Sequence, residues 1–221
     1  MRKLLLILFI TFANNGLVIA SPFDDAKAAY EKKDFIEAAK IFKLLAAKGH
    51  APAQVILGQM YGMGKGVPIN YELATKWWRY AALEGGHPEA QHSLGMMYQK
   101  GQGVPKSDQR AVELYRLAAE QGHAGGQFML GAMYGMGQGV PADYVVAYMW
   151  LSIAAVNGNG RSKKIITEIA AKLTSAQISK GQEMGLECMK KNYKNCDYVS
   201  AKTTDTEYTG SGITDTEYTG S

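Results

Sequence analysis

The sequence lacks the residue patterns that common classes of hydrolytic enzyme require. No serine is followed three residues later by lysine, and no Gly-x-Ser-x-Gly elbow is present. The chain has only 4 histidines, and none of them forms the helical pair of a zinc metalloprotease. Its carboxylates, Glu89 and Glu113 among them, are scattered in the sequence and are expected to be solvated. We therefore predict no catalytic residues, no metal site and no cofactor.

Long apolar stretches and dense positive charge are also missing. After residue 20 no stretch could span a bilayer. Residues 1–20 combine Arg2 and Lys3 with a short apolar run and a Val-Ile-Ala ending, which is typical of a secretory signal peptide cleaved after Ala20. An uncleaved N-terminal anchor is the alternative. The net charge is +4 without the Lys/Arg stripe of a nucleic-acid binder. We predict a periplasmic or secreted protein that binds no nucleic acid and has no transmembrane segment after cleavage.

Cysteine is scarce, with Cys188 and Cys196 as the only 2 in the chain. The close Cys-x-x-Cys spacing of a redox pair is absent, and two sulfurs are too few to hold a metal. An exported protein tends to pair its cysteines, so we predict a structural disulfide. In one straight helix the two residues would lie ~12 Å apart, beyond the reach of a disulfide. A helix must therefore end between them, near Lys191-Asn192.

Glycine is abundant, and its positions repeat. The phrase Leu-Gly-x-Met-Tyr-x-x-Gly-x-Gly-Val-Pro occurs at Leu57–Pro68, Leu94–Pro105 and Leu130–Pro141, with spacings of 37 and 36 residues. Self-similarity at this period predicts a stack of helical hairpins. The extra residue of the longer spacing is expected near Leu83–Gly86, at the end of a helix. Each Gly-x-Gly pair is expected to end a helix, so we interpret it as a structural turn; a phosphate-binding loop would need a preceding strand.

Other repeated positions have structural interpretations as well. After each proline an N-cap residue is expected to open the next helix, at Asn70, Ser107 and Asp143. The glycine after each leucine predicts a close helix–helix approach, with alanine pairs such as Ala81-Ala82 as its neighbours. Three histidines occupy the same place before a helix in successive units and are interpreted as caps: His50, His87 and His123.

The repeated pattern, with its later Ala-Ala-x-x-Gly-His, resembles the Sel1-like repeat family, whose members are relatives of tetratricopeptide repeats. The resemblance extends from about Phe23 to Gly158. It implies an all-α fold, a right-handed α/α superhelical solenoid, that serves as an adaptor for protein complexes. Exported bacterial members are often linked to envelope processes or host contact. A few cysteine-rich relatives bind penicillin-like ligands, so the alternative is a penicillin-interacting or β-lactamase-like envelope protein.

The chain divides by pattern into five parts. We predict a signal peptide at 1–20, an N-terminal helical hairpin at 21–49, three repeats at 50–158, a capping helix pair at 159–196 and a tail at 197–221. Thr174 and Gln177 form a capping-box pattern that opens a helix from about Ser175 to Lys190. This last pair is expected to cover the open end of the stack. The tail is polar and acidic, so we predict disorder; an interaction tail and a cloning remnant are both compatible with it.

Comparing the units with one another separates constant positions from variable ones. The variable positions share one face of each first helix. If first helices line the concave side, as the tetratricopeptide relationship implies, these residues face a protein or peptide partner; packing against the neighbouring unit is the alternative. The candidates are Val55, Ile56, Gln59, His92, Ser93, Met96, Phe128, Met129 and Ala132.

Overall fold

The computed structural model describes residues 21–196, which form ten α-helices and one π-helical turn, and no strand occurs in that range. The predicted signal peptide and tail lie outside the described residues. The helices are α1 Pro22–Glu31, α2 Phe35–Ala47, α3 Ala51–Met63, α4 Tyr71–Arg79, α5 Pro88–Lys100, α6 Asp108–Ala119, α7 Ala124–Met136, α8 Tyr144–Val156, α9 Ser162–Ala170 and α10 Ser175–Lys190, with the π-helical turn at Tyr80–Glu84. None of these helices has the length and apolarity needed to cross a membrane.

The helices form a solenoid because each one packs mainly on its neighbours in sequence. Consecutive helices pair into four hairpins: α1 with α2, α3 with α4, α5 with α6, and α7 with α8. Each second helix also contacts the first helix of the next hairpin. This arrangement confirms the predicted all-α solenoid. The second helices begin at N-caps whose side chains accept a backbone hydrogen bond, as predicted at Asn70, Ser107 and Asp143.

The two glycines of each turn have different physical roles, which the second repeat illustrates. Gly101 ends α5 in the left-handed conformation, with φ of 67°. Gly103, also left-handed, lies directly on the first turn of α4, where a Cβ would come within 2.2 Å of the Tyr71 carbonyl oxygen. The first glycine therefore turns the chain, and the second lets that turn pack on the preceding hairpin.

The glycine after each motif leucine does mark a close helix approach, but its neighbour differs from the one predicted. A Cβ on Gly95 would lie 2.7 Å from the ring of Tyr115, not against the alanine pair further along α6. The equivalent neighbour of Gly58 is Trp78, whose indole N–H donates to the Val55 carbonyl at 3.2 Å. In these two hairpins the missing side chain makes room for a large ring, and in the third Gly131 faces Leu151 in the same way.

The longer spacing of the first repeat is absorbed inside a helix. Residues Tyr80–Glu84 continue α4 as a π-helical turn, which accommodates one additional residue without breaking the helix. The sequence predicts the additional residue near Leu83–Gly86, a range that overlaps this turn. The hairpin that contains the turn still contacts α5, so the stack continues past the insertion.

Buried glutamines join consecutive hairpins at one repeated position. Gln54, Gln91 and Gln127 each donate a side-chain hydrogen bond to a carbonyl at the end of the preceding second helix. The Gln91 and Gln127 side-chain oxygens also accept from Gln121 and Asn157, each at 2.8 Å. Burying an amide costs desolvation free energy, which hydrogen bonds must offset. These bonds therefore fix the position of one hairpin on the next.

The C-terminal helices cover the end of the stack, because α10 packs on α8 and α9 packs on both α8 and α7. Thr174 and Gln177 form the full capping box that opens α10, as predicted. Helix α10 ends at Lys190, and the chain folds back so that Cys188 and Cys196 form a disulfide with a Cα separation of 5.1 Å. The predicted pairing is confirmed. Tyr193 in this loop donates to Asn157 at 3.3 Å and so holds the loop on α8.

Candidate functional site

First helices form the inner layer of the stack. Helix α5 contacts α7 and α7 contacts α9, whereas consecutive second helices of the four repeat hairpins, α2, α4, α6 and α8, contact each other less. In a curved stack the layer with the closer helices lies on the inside of the curve. All nine candidate residues lie on α3, α5 or α7, and therefore on this layer.

The structure divides the nine candidates by burial. Val55 and Ser93 are 5% and 3% exposed, so they belong to the packing that was the alternative interpretation. The other seven are half-buried: Ile56, Gln59, His92, Met96, Phe128, Met129 and Ala132. The three large apolar residues on α5 and α7 also pack on the main core, so each combines a packed side with an exposed one. We call Met96, Phe128 and Met129 the apolar inner surface.

The candidates on α3 lie apart from this surface. Ile56 and Gln59 line a small cavity of about 140 Å³ together with Tyr30 and Phe42 from the N-terminal hairpin. Ile56 packs on a separate core cluster that α1, α2 and α3 share. The structure therefore places two groups of candidates on the inner layer, one beside α1 and α2 and one on α5 and α7.

Side chains from three first helices meet where α5, α7 and α9 begin. The Glu89 carboxylate lies 2.8 Å from Nε2 of His123, and the His92 and His123 rings are 5.0 Å apart. Arg161, the residue before α9, places its guanidinium 5.0 Å from the centre of the Phe128 ring. We call Glu89, His92 and His123 the histidine cluster. It borders the apolar inner surface through Phe128 and Arg161.

The hydrogen bonds of His123 determine its tautomer. Nδ1 accepts from the Gly126 backbone N–H at 3.0 Å, so the predicted capping role is confirmed for this histidine and also for His50. Because Nδ1 accepts, the ring proton lies on Nε2 and is donated to Glu89. This hydrogen bond lowers the pKa of Glu89, and the carboxylate is charged at neutral pH. His87 forms no such cap.

His92 is neutral in this environment. Burial lowers its pKa to about 4, and the positive charge that His123 and Arg161 can carry acts in the same direction, while Glu89 opposes it. Its Nδ1 is buried and has no hydrogen-bond partner. A neutral imidazole with an unpaired nitrogen can accept a hydrogen bond or bind a metal ion.

Sequence reasoning missed two sets of residues that the structure brings together. Glu89 was expected to be solvated, but it is half-buried and accepts a hydrogen bond from His123 of the next hairpin. Its position one helical turn before His92 was the signal in the sequence. The inter-hairpin glutamines were also overlooked, although Gln54, Gln91 and Gln127 are identical in all three units.

The comparisons with known proteins agree with this architecture. The model of the Sel1 repeat matches residues 27–50, 51–86, 88–123 and 124–159, more than half of the chain. A Sel1 repeat protein from Oxalobacter formigenes is 40% identical over 57% of this chain and 95% of its own, with a TM-score of 0.52. The uropathogenic Escherichia coli protective antigen c5321, which displays an SLR fold, is 25% identical over 80% of this chain and 46% of its own, with a TM-score of 0.49. No curated protein matches the chain significantly. Four consecutive matches on four consecutive helical hairpins show that the chain belongs to the Sel1 repeat family.

Proposed function

We propose that this protein is an exported, non-enzymatic adaptor that binds a protein or peptide segment on the apolar inner surface. Sel1 repeats are generally scaffolds for protein–protein interaction. The observation that supports this surface is the partial exposure of Met96, Phe128 and Met129 on two first helices that contact each other. A group of neighbouring, partly exposed apolar residues on the inside of a curved stack is the kind of patch that favours recognition.

The residue types of this surface suit a partner with apolar side chains. Methionine is flexible and polarisable, and it adapts to irregular apolar partners. Phe128 adds a flat ring, and Arg161 above it gives the edge of the surface a positive charge. A peptide that places apolar anchors on Met96 and Met129 and an acidic group near Arg161 has complementary chemistry.

Export is the second part of the proposal. Residues 1–20 have the charge and apolar pattern of a signal peptide, and the Cys188–Cys196 disulfide suits an oxidising compartment such as the periplasm or the cell exterior. Fractionation of cells that express the full chain and a variant without residues 1–20 tests this. We expect the full chain outside the cytoplasm and the shortened chain inside it; a full chain that stays in the cytoplasm would contradict export.

Site-specific photo-crosslinking tests the binding surface. A photo-reactive phenylalanine analogue replaces Phe128 in one protein and Leu117, which is 40% exposed on the second helix α6, in a matched control. The analogue at 128 keeps the shape of the native ring, so the fold should be retained. We expect discrete adducts with envelope or extracellular proteins from position 128 and not from 117. Equal adducts from both positions, or none from 128, would refute the inner surface as the binding site.

A further inference from the structure

The histidine cluster has the composition of a transition-metal site. Glu89 and His92 lie one turn apart on α5, and His123 immediately precedes α7. Each of the three offers one ligand atom, and these atoms all lie within 4.8 Å of one another. Side chains three residues apart on a helix share a face, and the hydrogen bond from His123 to Glu89 shows that the next hairpin brings its imidazole to that face.

The ligand types favour one class of ion. Two imidazoles and a carboxylate suit zinc and its neighbours in the first transition row, whereas calcium and magnesium prefer sites made only of oxygen ligands. Three protein ligands leave at least one position for water on a tetrahedral ion.

The structure keeps space beside the two rings. Gly125 lies in the first turn of α7, at the position that Pro52 and Glu89 occupy in the other units. A Cβ on Gly125 would come within 2.9 Å of Cε1 of His123 and 3.2 Å of Nε2 of His92. Any side chain here would therefore crowd both imidazoles.

His92 also has unused binding capacity, because its buried Nδ1 forms no hydrogen bond. Buried polar atoms are nearly always paired in folded proteins, and an unpaired one needs a physical explanation. No hydrogen bond at Nδ1 therefore has to break when this imidazole binds an ion.

We propose that Glu89, His92 and His123 bind a divalent transition ion of the zinc type, which fastens the second full hairpin to the third. On binding, the proton of His123 moves from Nε2 to Nδ1, and Nε2 and the Glu89 oxygen each exchange their mutual hydrogen bond for a bond to the ion. Nδ1 then carries the proton and no longer accepts from the Gly126 N–H, so metal binding gives up this cap. No proton is gained or lost by the protein in this exchange. Zinc binding at this site can be tested without a partner.

Zinc titration of residues 21–221, with the disulfide intact and any affinity tag removed, tests the proposal. We expect one zinc ion per chain by calorimetry after treatment with a chelator, and a rise in the thermal midpoint with added zinc. Glu89→Gln, His92→Gln and His123→Asn should each weaken zinc binding by about tenfold or more. Asparagine is a good N-cap, so His123→Asn removes the ligand and retains an acceptor for the helix end.

His50→Asn is the matched control, because His50 caps α3 as His123 caps α7 but has no place in the cluster. Its zinc affinity should equal that of the native chain. Cobalt in place of zinc should give the visible absorption of a four-coordinate nitrogen–oxygen site. Failure of the native chain to bind one equivalent of zinc, or binding that survives all three substitutions in folded variants, would overturn the proposal.

Discussion

Replacing Gln127 with methionine should destabilise the fold more than the same replacement of Gln54, although the two residues occupy the same position in their repeats. Gln127 is 0% exposed, donates to the Ala119 carbonyl at 3.1 Å and accepts from Asn157 at 2.8 Å. Gln54 donates to the Ala46 carbonyl at 3.2 Å and, within the described residues, forms no second side-chain hydrogen bond. Methionine has nearly the volume of glutamine, so the substitution removes hydrogen bonds without opening a large cavity.

The expected magnitudes follow from the number of bonds. A net hydrogen bond contributes about 1 kcal/mol, and a partly buried amide that loses its acceptor costs about 1–3 kcal/mol. The substitution Gln54→Met should therefore lower the free energy of unfolding by about 1 kcal/mol, and Gln127→Met by about 2–3 kcal/mol. The difference between the two losses of unfolding free energy is the contribution of the hydrogen bond from Asn157 to Gln127.

Urea unfolding followed by far-ultraviolet circular dichroism measures both variants. Because repeat arrays can unfold in stages, the slope of the transition should be compared along with its midpoint. A double-mutant cycle with Asn157→Ala provides the control, since Asn157 also accepts from Tyr193 and its own loss includes that bond. We expect a coupling energy of about 1 kcal/mol between positions 127 and 157. Equal destabilisation by the two methionine variants, or zero coupling, would refute the reasoning.

Three further predictions concern other parts of the fold. Gly103→Ala should destabilise the fold by more than about 3 kcal/mol, because it combines a left-handed φ with a backbone clash. Gly86→Ala, with φ of 60° and nothing within 4 Å of the added Cβ, should cost about 1–2 kcal/mol. The midpoints of urea unfolding compare the two variants. Reduction of the Cys188–Cys196 disulfide, which closes a sequence separation of 8, should cost about 2–3 kcal/mol, and dithiothreitol should not shift the thermal midpoint of the double serine variant. Burial lowers the pKa of His92 from 6.5 to about 4, so between these values the unfolded chain binds a proton that the folded chain does not, and stability should fall as pH falls. The loss of stability should approach about 3 kcal/mol by pH 4. Urea unfolding with a chelator present should show a weaker dependence of stability on pH for His92→Gln than for the native chain. The same pH dependence in both proteins would contradict the role given to His92.

The repeated phrase was enough to predict the hairpins because its residues act locally. Gly101 ends its helix by its own left-handed backbone. The Ser107 side chain opens the next helix by accepting a hydrogen bond from the backbone N–H of its third residue, Arg110. The capping box at Thr174 and Gln177 placed the start of α10 for the same reason. Such signals depend on a few consecutive residues and on geometry that is the same in every protein.

Contacts between hairpins were harder to infer. The alanine pairs were expected beside the motif glycines, but Trp78 and Tyr115 occupy those places, because the rotation of one helix on the other decides which side chain reaches the gap. Glu89 was expected to be solvated for a related reason: its partner His123 lies 34 residues away and on another hairpin.

The sequence by itself determined the repeat, the helix ends, the turns and the C-terminal disulfide, since each depends on a residue type at a fixed short spacing. Only the tertiary structure decided which candidate residues remain exposed: Val55 and Ser93 are buried, whereas Phe128 and Met129 keep a free side. It also brought Glu89, His92 and His123 together. The physical reason is that burial and side-chain convergence depend on the curvature of the stack and the angle between successive hairpins, and no single repeat specifies either.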